Sequence, residues 1–213
     1  ATPLAQLLGE QLGGWFARLH REQGVELMVG TQLAGVRARG GRVAAVVLSD
    51  GRVRDCDHVV VGVGNTANTE WLAGCGLARP HVETDQAART RLPGVYAAGD
   101  AAAPYDPALG RALPSSHWEA AARSGLAAAR AMLGREPQSA PPASFWSDLH
   151  GVRIQYLGHA PGADEVLVEG DPAARRFRAT YTRGGTVVAC LLVGCPERLP
   201  QARAQLGSQL TAA

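Results

Sequence analysis

Two short stretches combine residue types that could hold a ligand. Thr90-Arg91-Leu92-Pro93-Gly94-Val95-Tyr96-Ala97-Ala98-Gly99-Asp100 is a run of mostly small residues ending in Gly-Asp. Small side chains let a ligand lie against the backbone, and Gly99 allows a conformation that other residues resist. A carboxylate at the carboxyl end of a strand sits where open α/β sheets bind ligands. Asp100 there could accept hydrogen bonds from sugar or polyol hydroxyls, although a plain turn aspartate fits the same residues. The second stretch, Gly62-Val63-Gly64-Asn65-Thr66-Ala67, follows an apolar run and formally matches the dinucleotide-binding Gly-x-Gly-x-x-Gly/Ala turn. That turn should open a βαβ unit with an acidic residue about 20 positions on. Asp85 lies near that distance, but no strand ends there and the following helix is short. Gly62 and Gly64 therefore read better as room for close backbone approach than as a pyrophosphate fingerprint.

The cysteines offer less. Cys56, Cys75, Cys190 and Cys195 form no Cys-x-x-Cys pair and have no histidine at zinc spacing. The odd separation of Cys190 and Cys195 would put them on opposite faces of one regular strand. Free buried thiols in a reducing cytoplasm are the expectation.

The elements that must position these residues follow from periodicity. Leu4, Leu7, Leu8, Leu12, Trp15, Phe16 and Leu19 give residues 3–23 one apolar helical face, with Gly24 as its cap. A strand is expected at 25–29, two extended runs at 32–39 and 42–49 joined by Gly40-Gly41, and a further hairpin turn at Asp50-Gly51. His58–Val63 is nearly all apolar, which suits a parallel strand covered on both faces. A short helix at 69–75, extended pieces at 81–84 and 95–98, a loop at 101–114 and a long amphipathic helix at 116–133 come next. Residues 135–143, REPQSAPPA, read as a linker. Beyond it strands are expected at 153–158, 165–169, 176–182 and 186–193, the last two joined by Arg183-Gly184-Gly185, and a helix at 197–210 closes the chain. This tail is a small α+β module, an antiparallel sheet with one helix.

Composition bounds the function. With 213 residues, 46% hydrophobic content and a net charge of +2, disorder over the whole length is excluded. No run of roughly 18 apolar residues supports a membrane-spanning helix. The N-terminal ATPLAQLLGEQLGGWFARLH lacks the basic start and cleavage site of a secretion signal. All 21 basic residues are Arg, clustered at Arg37, Arg39 and Arg42 and at Arg175, Arg176, Arg178 and Arg183. Acidic residues balance both clusters, so they read as solvated faces and not as a nucleic-acid footprint.

In order along the chain, HREQGVELMVG, DGRVRDCDHVVVGVGNTANTEWL, TRLPGVYAAGD, SSHWEAAARSGLAAARAMLG and SFWSDLHGVRIQYLG resemble the flavin-dependent pyridine nucleotide-disulfide oxidoreductases, specifically their ferredoxin reductase type. The Gly-Val-Tyr-Ala-Ala-Gly-Asp block is the most specific piece. FWSD separates ferredoxin reductases from disulfide reductases, whose last domain differs. The resemblance implies an α/β part followed by an α+β part. Residues 1–64 would be the second half of an NAD(P)-binding domain and 65–134 the second half of an FAD-binding domain, both doubly wound. Residues 144–213 would be the C-terminal reductase domain. It implies that Asp100 holds the flavin ribityl chain beside Gly99. His117 and Trp118 would begin a helix aimed at the isoalloxazine ring, and Gly62 and Gly64 would pass the nicotinamide end of NAD(P)H. Trp118 taken alone would read as a core aromatic, and Trp146, Ser147 and Asp148 read as packing residues. No side chain is expected to act as catalytic acid or base, and no metal is expected. The implied partner is a ferredoxin-type iron–sulfur protein, with no nucleic acid and no membrane.

The chain departs from that family in lacking both Gly-x-Gly-x-x-Gly turns and an early Cys-x-x-x-x-Cys. It is expected to begin midway through the NAD domain and to hold neither FAD nor NAD(P)H tightly by itself. Thr66-Ala67 stands where relatives often carry Pro before Asn-Thr, and Leu113-Pro114-Ser115 where many carry an acidic residue. Unpaired strand edges and uncovered apolar faces predict a homodimer, an exchange of elements between copies, or a need for the missing half of the fold.

Overall fold

The apolar spacing at the N-terminus forms α1 (Ala5–Glu22), broken by non-helical backbone at Gly9, where φ is 80, and ended by Gly24, whose N–H reaches the Arg21 carbonyl. Next come β1 (Leu33–Arg39), β2 (Arg42–Leu48), β3 (Val53–Asp55), β4 (Val82–Thr84), β5 (Ala102–Asp106) and β6 (Arg111–Ala112). They are followed by α2 (Trp118–Met132), β7 (Ser144–Leu149), β8 (Val152–Gly158), β9 (Glu165–Asp171), β10 (Arg176–Arg183), β11 (Thr186–Val193) and α3 (Leu199–Gln205). The structure, a computed structural model, describes residues 2–77, 80–107, 109–135 and 142–210. The expected linker at 135–143 falls mostly outside the described residues.

The chain divides into two units, Ala1–Gly62 with Pro142–Ala213, and Val63–Pro141. In the first, β7 to β11 form one antiparallel sheet in the order β7-β8-β11-β10-β9. Side chains alternate across it. Phe145, Tyr156, Leu191, Ala179 and Val168 share one face in register, and Trp146, Gln155, Leu192, Arg178 and Glu169 share the other. α1 covers the first face. Leu8, Leu12, Trp15, Phe16 and Leu19 pack with Ile154, Phe177, Tyr181 and Leu191. Trp15 meets Phe177 edge-on at 5.0 Å, and its indole N–H donates to the Pro172 carbonyl at 2.9 Å. The Tyr181 hydroxyl donates to the Leu8 carbonyl at 2.9 Å. α3 covers part of the second face, where Ala202 joins Leu157, Cys190, Leu192 and Cys195. The Arg183–Thr186 hairpin turns through Gly184 and Gly185, both at positive φ as its two-residue turn requires. A separate meander, β1-β2-β3, completes the unit. In the second unit β4 pairs parallel with β5, and β5 pairs antiparallel with β6.

Several expectations are corrected. Residues 25–29 and 58–63 form no strand, and Val60 is 96% exposed. A parallel strand needs neighbours from distant sequence, and no described residue supplies them. Residues 95–98 contribute one isolated bridge, Arg89 to Tyr96. The expected loop at 101–114 holds β5 and β6, and the final helix is shorter than 197–210. Ser144–Leu149 is a full edge strand. On it Trp146 is no packing residue: it is 62% exposed, with the Arg153 guanidinium 4.0 Å from its ring centre. Asp148 lies on the same surface, bound to Arg153 at 2.8 Å. Cys190 and Cys195 share one buried cluster instead of opposite faces, because β11 ends at Val193 and the chain turns at Gly194 before Cys195. Both thiols are free, and burial pushes both above the ordinary thiol range. Arg178 is not solvated. It is 4% exposed and donates to Gln205 Oε1 at 2.5 Å, while Arg175 and Arg176 stay at the surface with Glu22 and Glu197.

Phe16→Ala should remove about 3–5 kcal/mol of stability, the usual cost of emptying an aromatic core position, measured by chemical denaturation. Tyr156 accepts a hydrogen bond from the Ala160 N–H at 2.7 Å, and burial pushes its phenol from 10.0 up to about 12. The folded state thus favours the protonated phenol. Its contribution is complete below about pH 10 and is lost as the pH climbs towards 12. Denaturation midpoints should fall over that window, and Tyr156→Phe should flatten the fall.

Candidate functional site

The site is built on the backbone between Ala88 and Ala101. Thr90 N–H donates to the Val95 carbonyl and Ala97 N–H to the Ala88 carbonyl, closing a narrow hairpin over Pro93-Gly94. The chain then reaches Gly99, at φ 74, and Asp100 in a single 3-10 turn, Gly99–Ala101, which leads into β5. A side chain at Gly99 would project into open space and would be strained at that φ. The Gly99 N–H donates to Ser124 Oγ at 2.8 Å, and Ser124 Oγ donates to the Ala121 carbonyl at 2.9 Å. One hydroxyl on the second turn of α2 thus docks the Gly-Asp turn against the helix.

Asp100 is exposed, and its Oδ2 accepts from Asn65 Nδ2 at 3.3 Å. Asn65 Oδ1 in turn accepts from Ser116 Oγ at 2.9 Å. The loop after Gly64, the Gly99–Ala101 turn and the approach to α2 are therefore brought together by two side-chain hydrogen bonds. α2 starts after His117, whose backbone is extended, and no side chain caps it. The N–H groups of a helix's first turn have no intrahelical partner, and the macrodipole puts partial positive charge there. Trp118 opens the helix 82% exposed, so it is a surface residue and not a core aromatic. Gly62 and Gly64 fall on either side of the division between units. Gly64 sits at φ 90, and a Cβ at either position would meet nothing within 4 Å. An open cleft of about 1000 Å³ in the second unit is lined by Asp85, Arg89, Arg91, Tyr105 and Arg111; none of the expected site residues lines it.

The chemistry available here is that of a polyol-and-anion cradle. An ionised carboxylate only accepts hydrogen bonds, the helix start only donates them, and open space lies beside the glycines between. Pattern reading missed Asn65, Ser116 and Ser124. Asn65 lay inside the glycine motif and Ser116 beside the helix start, but nothing in the Ala-rich run around Ser124 marked it.

Known proteins resemble the chain along nearly its whole length. Residues 1–131 match the model of the pyridine nucleotide-disulphide oxidoreductases, and residues 144–213 match the reductase C-terminal model. The chain is 34% identical over 205 residues to the 5,5'-dehydrodivanillate O-demethylase ferredoxin reductase subunit of Sphingobium, covering 94% of this chain and 50% of that one. It is 32% identical over 192 residues to human apoptosis-inducing factor 3, covering 88% of this chain and 32% of that one. Among solved structures, the covalent putidaredoxin reductase–putidaredoxin complex superposes with a TM-score of 0.90 at 26% identity, over 99% of this chain and 51% of that one. A ferredoxin reductase from Rhodopseudomonas palustris gives 0.84 at 26% identity, over 98% and 53%. The chain spans about half the length of these reductases and about a third of the human protein.

Ser124→Ala should cost about 1 kcal/mol by leaving the half-buried Gly99 N–H without its acceptor, and amide exchange at Gly99 should speed up accordingly. With family models matched over residues 1–131 and 144–213, this chain belongs to the pyridine nucleotide-disulphide oxidoreductases with a reductase C-terminal domain.

Proposed function

We propose that the chain is part of an FAD-dependent NAD(P)H oxidoreductase that passes electrons to a ferredoxin-type iron–sulfur protein. The observation that carries this reading is the exposed Asp100 carboxylate on a turn docked against the second turn of α2, a helix whose start no side chain caps. FAD, when bound, would supply two-electron acceptance from a pyridine nucleotide and single-electron release to the partner. Asp100 would accept hydrogen bonds from the ribityl hydroxyls, and Gly99 would give the backbone room. The N-terminus of α2 would favour negative charge on the ring, with His117 beside it. Trp118 would flank the ring on the side of the partner, and Gly62 and Gly64 would leave space for the nicotinamide. No side chain need move a proton. Two of the relatives are named as ferredoxin reductases, and one solved relative is held in a complex with putidaredoxin, which supports the choice of partner.

We place residues 1–64, 65–134 and 144–213 in the NAD(P), FAD and C-terminal parts of the family's architecture. A cytoplasmic setting accords with the free thiols of Cys190 and Cys195. Among the described residues no helix is long and apolar enough to cross a membrane.

A second reading is favoured by the valines at 60, 61 and 63, which are exposed on backbone outside any strand. It makes the chain a catalytically silent interaction module that pairs with a second copy or exchanges elements with it. Titration with FAD separates the two. The first reading expects weak quenching of flavin fluorescence, lost on dialysis and abolished by Asp100→Ala, with no NADH-dependent ferricyanide reduction by the chain alone. No quenching at all, together with a dimer in sedimentation, would establish the second. Protein that stays yellow through dialysis would show that these residues suffice to hold the cofactor.

A further inference from the structure

We infer that Asn65 is a positioning residue for Asp100, holding one carboxylate oxygen so that the other faces the ligand. This rests on the proposed role of Asp100 towards a ribityl chain. Asp100 Oδ2 takes a hydrogen bond from Asn65 Nδ2 at 3.3 Å, and among the described residues no other side chain bonds Asp100. An ionised carboxylate has no proton to give, so the group facing it must be the NH2 end of the amide. The opposite end, Oδ1, accepts from the Ser116 hydroxyl at 2.9 Å. The reverse amide orientation would set a carbonyl oxygen against the carboxylate, so the Asp100 contact selects the orientation, and the Ser116 hydroxyl, which can give or take a hydrogen bond, donates to the oxygen left facing it. Gly64, at φ 90, turns the loop so that Asn65 lies at the Gly-Asp turn. The result is a relay, Ser116 to Asn65 to Asp100, that leaves Asp100 Oδ1 available to a ligand hydroxyl.

All three side chains are exposed, so the relay adds little to the stability of the free chain. A ligand lying over Asp100 would exclude water and strengthen it. Its effect therefore belongs to binding, which separates positioning from a merely structural role.

The test compares riboflavin with lumiflavin, which has the same ring but a methyl group in place of the ribityl chain. Both are titrated against the full chain by fluorescence quenching. N65L, of similar size but without hydrogen bonds, should weaken riboflavin binding about tenfold, the loss expected of one charge-assisted hydrogen bond. N65D keeps the acceptor for Ser116 but sets a second carboxylate beside Asp100, and should weaken it further. Lumiflavin affinity and the melting temperature should not move in either variant, and in a D100A background N65L should have no further effect. Equal riboflavin affinity in N65L and wild type would overturn the inference. So would a parallel loss for both flavins, or a lowered melting temperature. Wild-type protein that binds riboflavin no better than D100A does would overturn the role of Asp100 itself, and the relay with it.

Discussion

The seating of α1 on the C-terminal sheet holds the two ends of the described chain together. Trp15, Phe16, Leu8, Leu12 and Leu19 meet Phe177, Tyr181, Ile154 and Leu191 in one core. A sheet face this apolar must be covered, and among the described residues no other helix covers that face. The contact is made specific by polar groups at its rim. The Trp15 indole reaches the Pro172 carbonyl and the Tyr181 hydroxyl reaches the Leu8 carbonyl, each across more than 150 residues of sequence. Two buried donors that find partners only in this docking fix the helix in place, since any sliding would leave both unpaired.

The opposite face shows how limited cover changes the chemistry of its residues. α3 is short, and beneath it lie Cys190, Cys195 and Arg178. Periodicity alone places Cys190 and Cys195 apart, because it assumes that the strand continues. The turn at Gly194 breaks that assumption and returns Cys195 to the same cluster, where its thiol meets the Phe177 carbonyl at 3.2 Å. Arg178 belonged, in sequence, to a basic cluster balanced by acids. Its row on the sheet puts it between Leu192 and Glu169, and Gln205 of α3 takes its guanidinium. Which arginine of such a cluster becomes buried depends on register, which charge counts do not contain.

The hairpins of the C-terminal sheet were legible because their signals are local. Gly184-Gly185 lies between two β-rich runs, and the register of β10 and β11 follows from that turn. β7 was legible in principle, since Phe145 and Leu149 alternate with Trp146 and Asp148, but six residues beside a linker are too short for alternation alone to mark a strand. At the site, Gly99 and Asp100 were legible because the Gly-Asp pair ends a run of small residues within the block that carries the family resemblance. Asn65, Ser116 and Ser124 did not, because each is an ordinary polar residue whose meaning arises only when three separate segments meet. Sequence order carries no sign that a serine in the second turn of α2 will face a glycine amide 25 residues earlier.

The contrast between the sheet at 144–193 and the bare run at 58–63 has one cause. Antiparallel strands can pair with the strand next to them in the chain, as β7–β8, β9–β10 and β10–β11 do, and with β8–β11 closing the set, β7 to β11 satisfy their backbone groups from a single stretch of sequence. A parallel strand takes its neighbours from across a crossover, and both of its faces need cover. Residues 58–63 have the composition of such a strand, yet Val60, Val61 and Val63 face solvent with no ladder on either side among the described residues. Valine-rich sequence does not by itself make a strand; it makes a segment that becomes one when a neighbour is present. Asn65, which bonds Asp100, begins just beyond this run, on a stretch that joins no ladder among the described residues. A neighbour that paired residues 58–63 would thus also fix the backbone leading into Asn65.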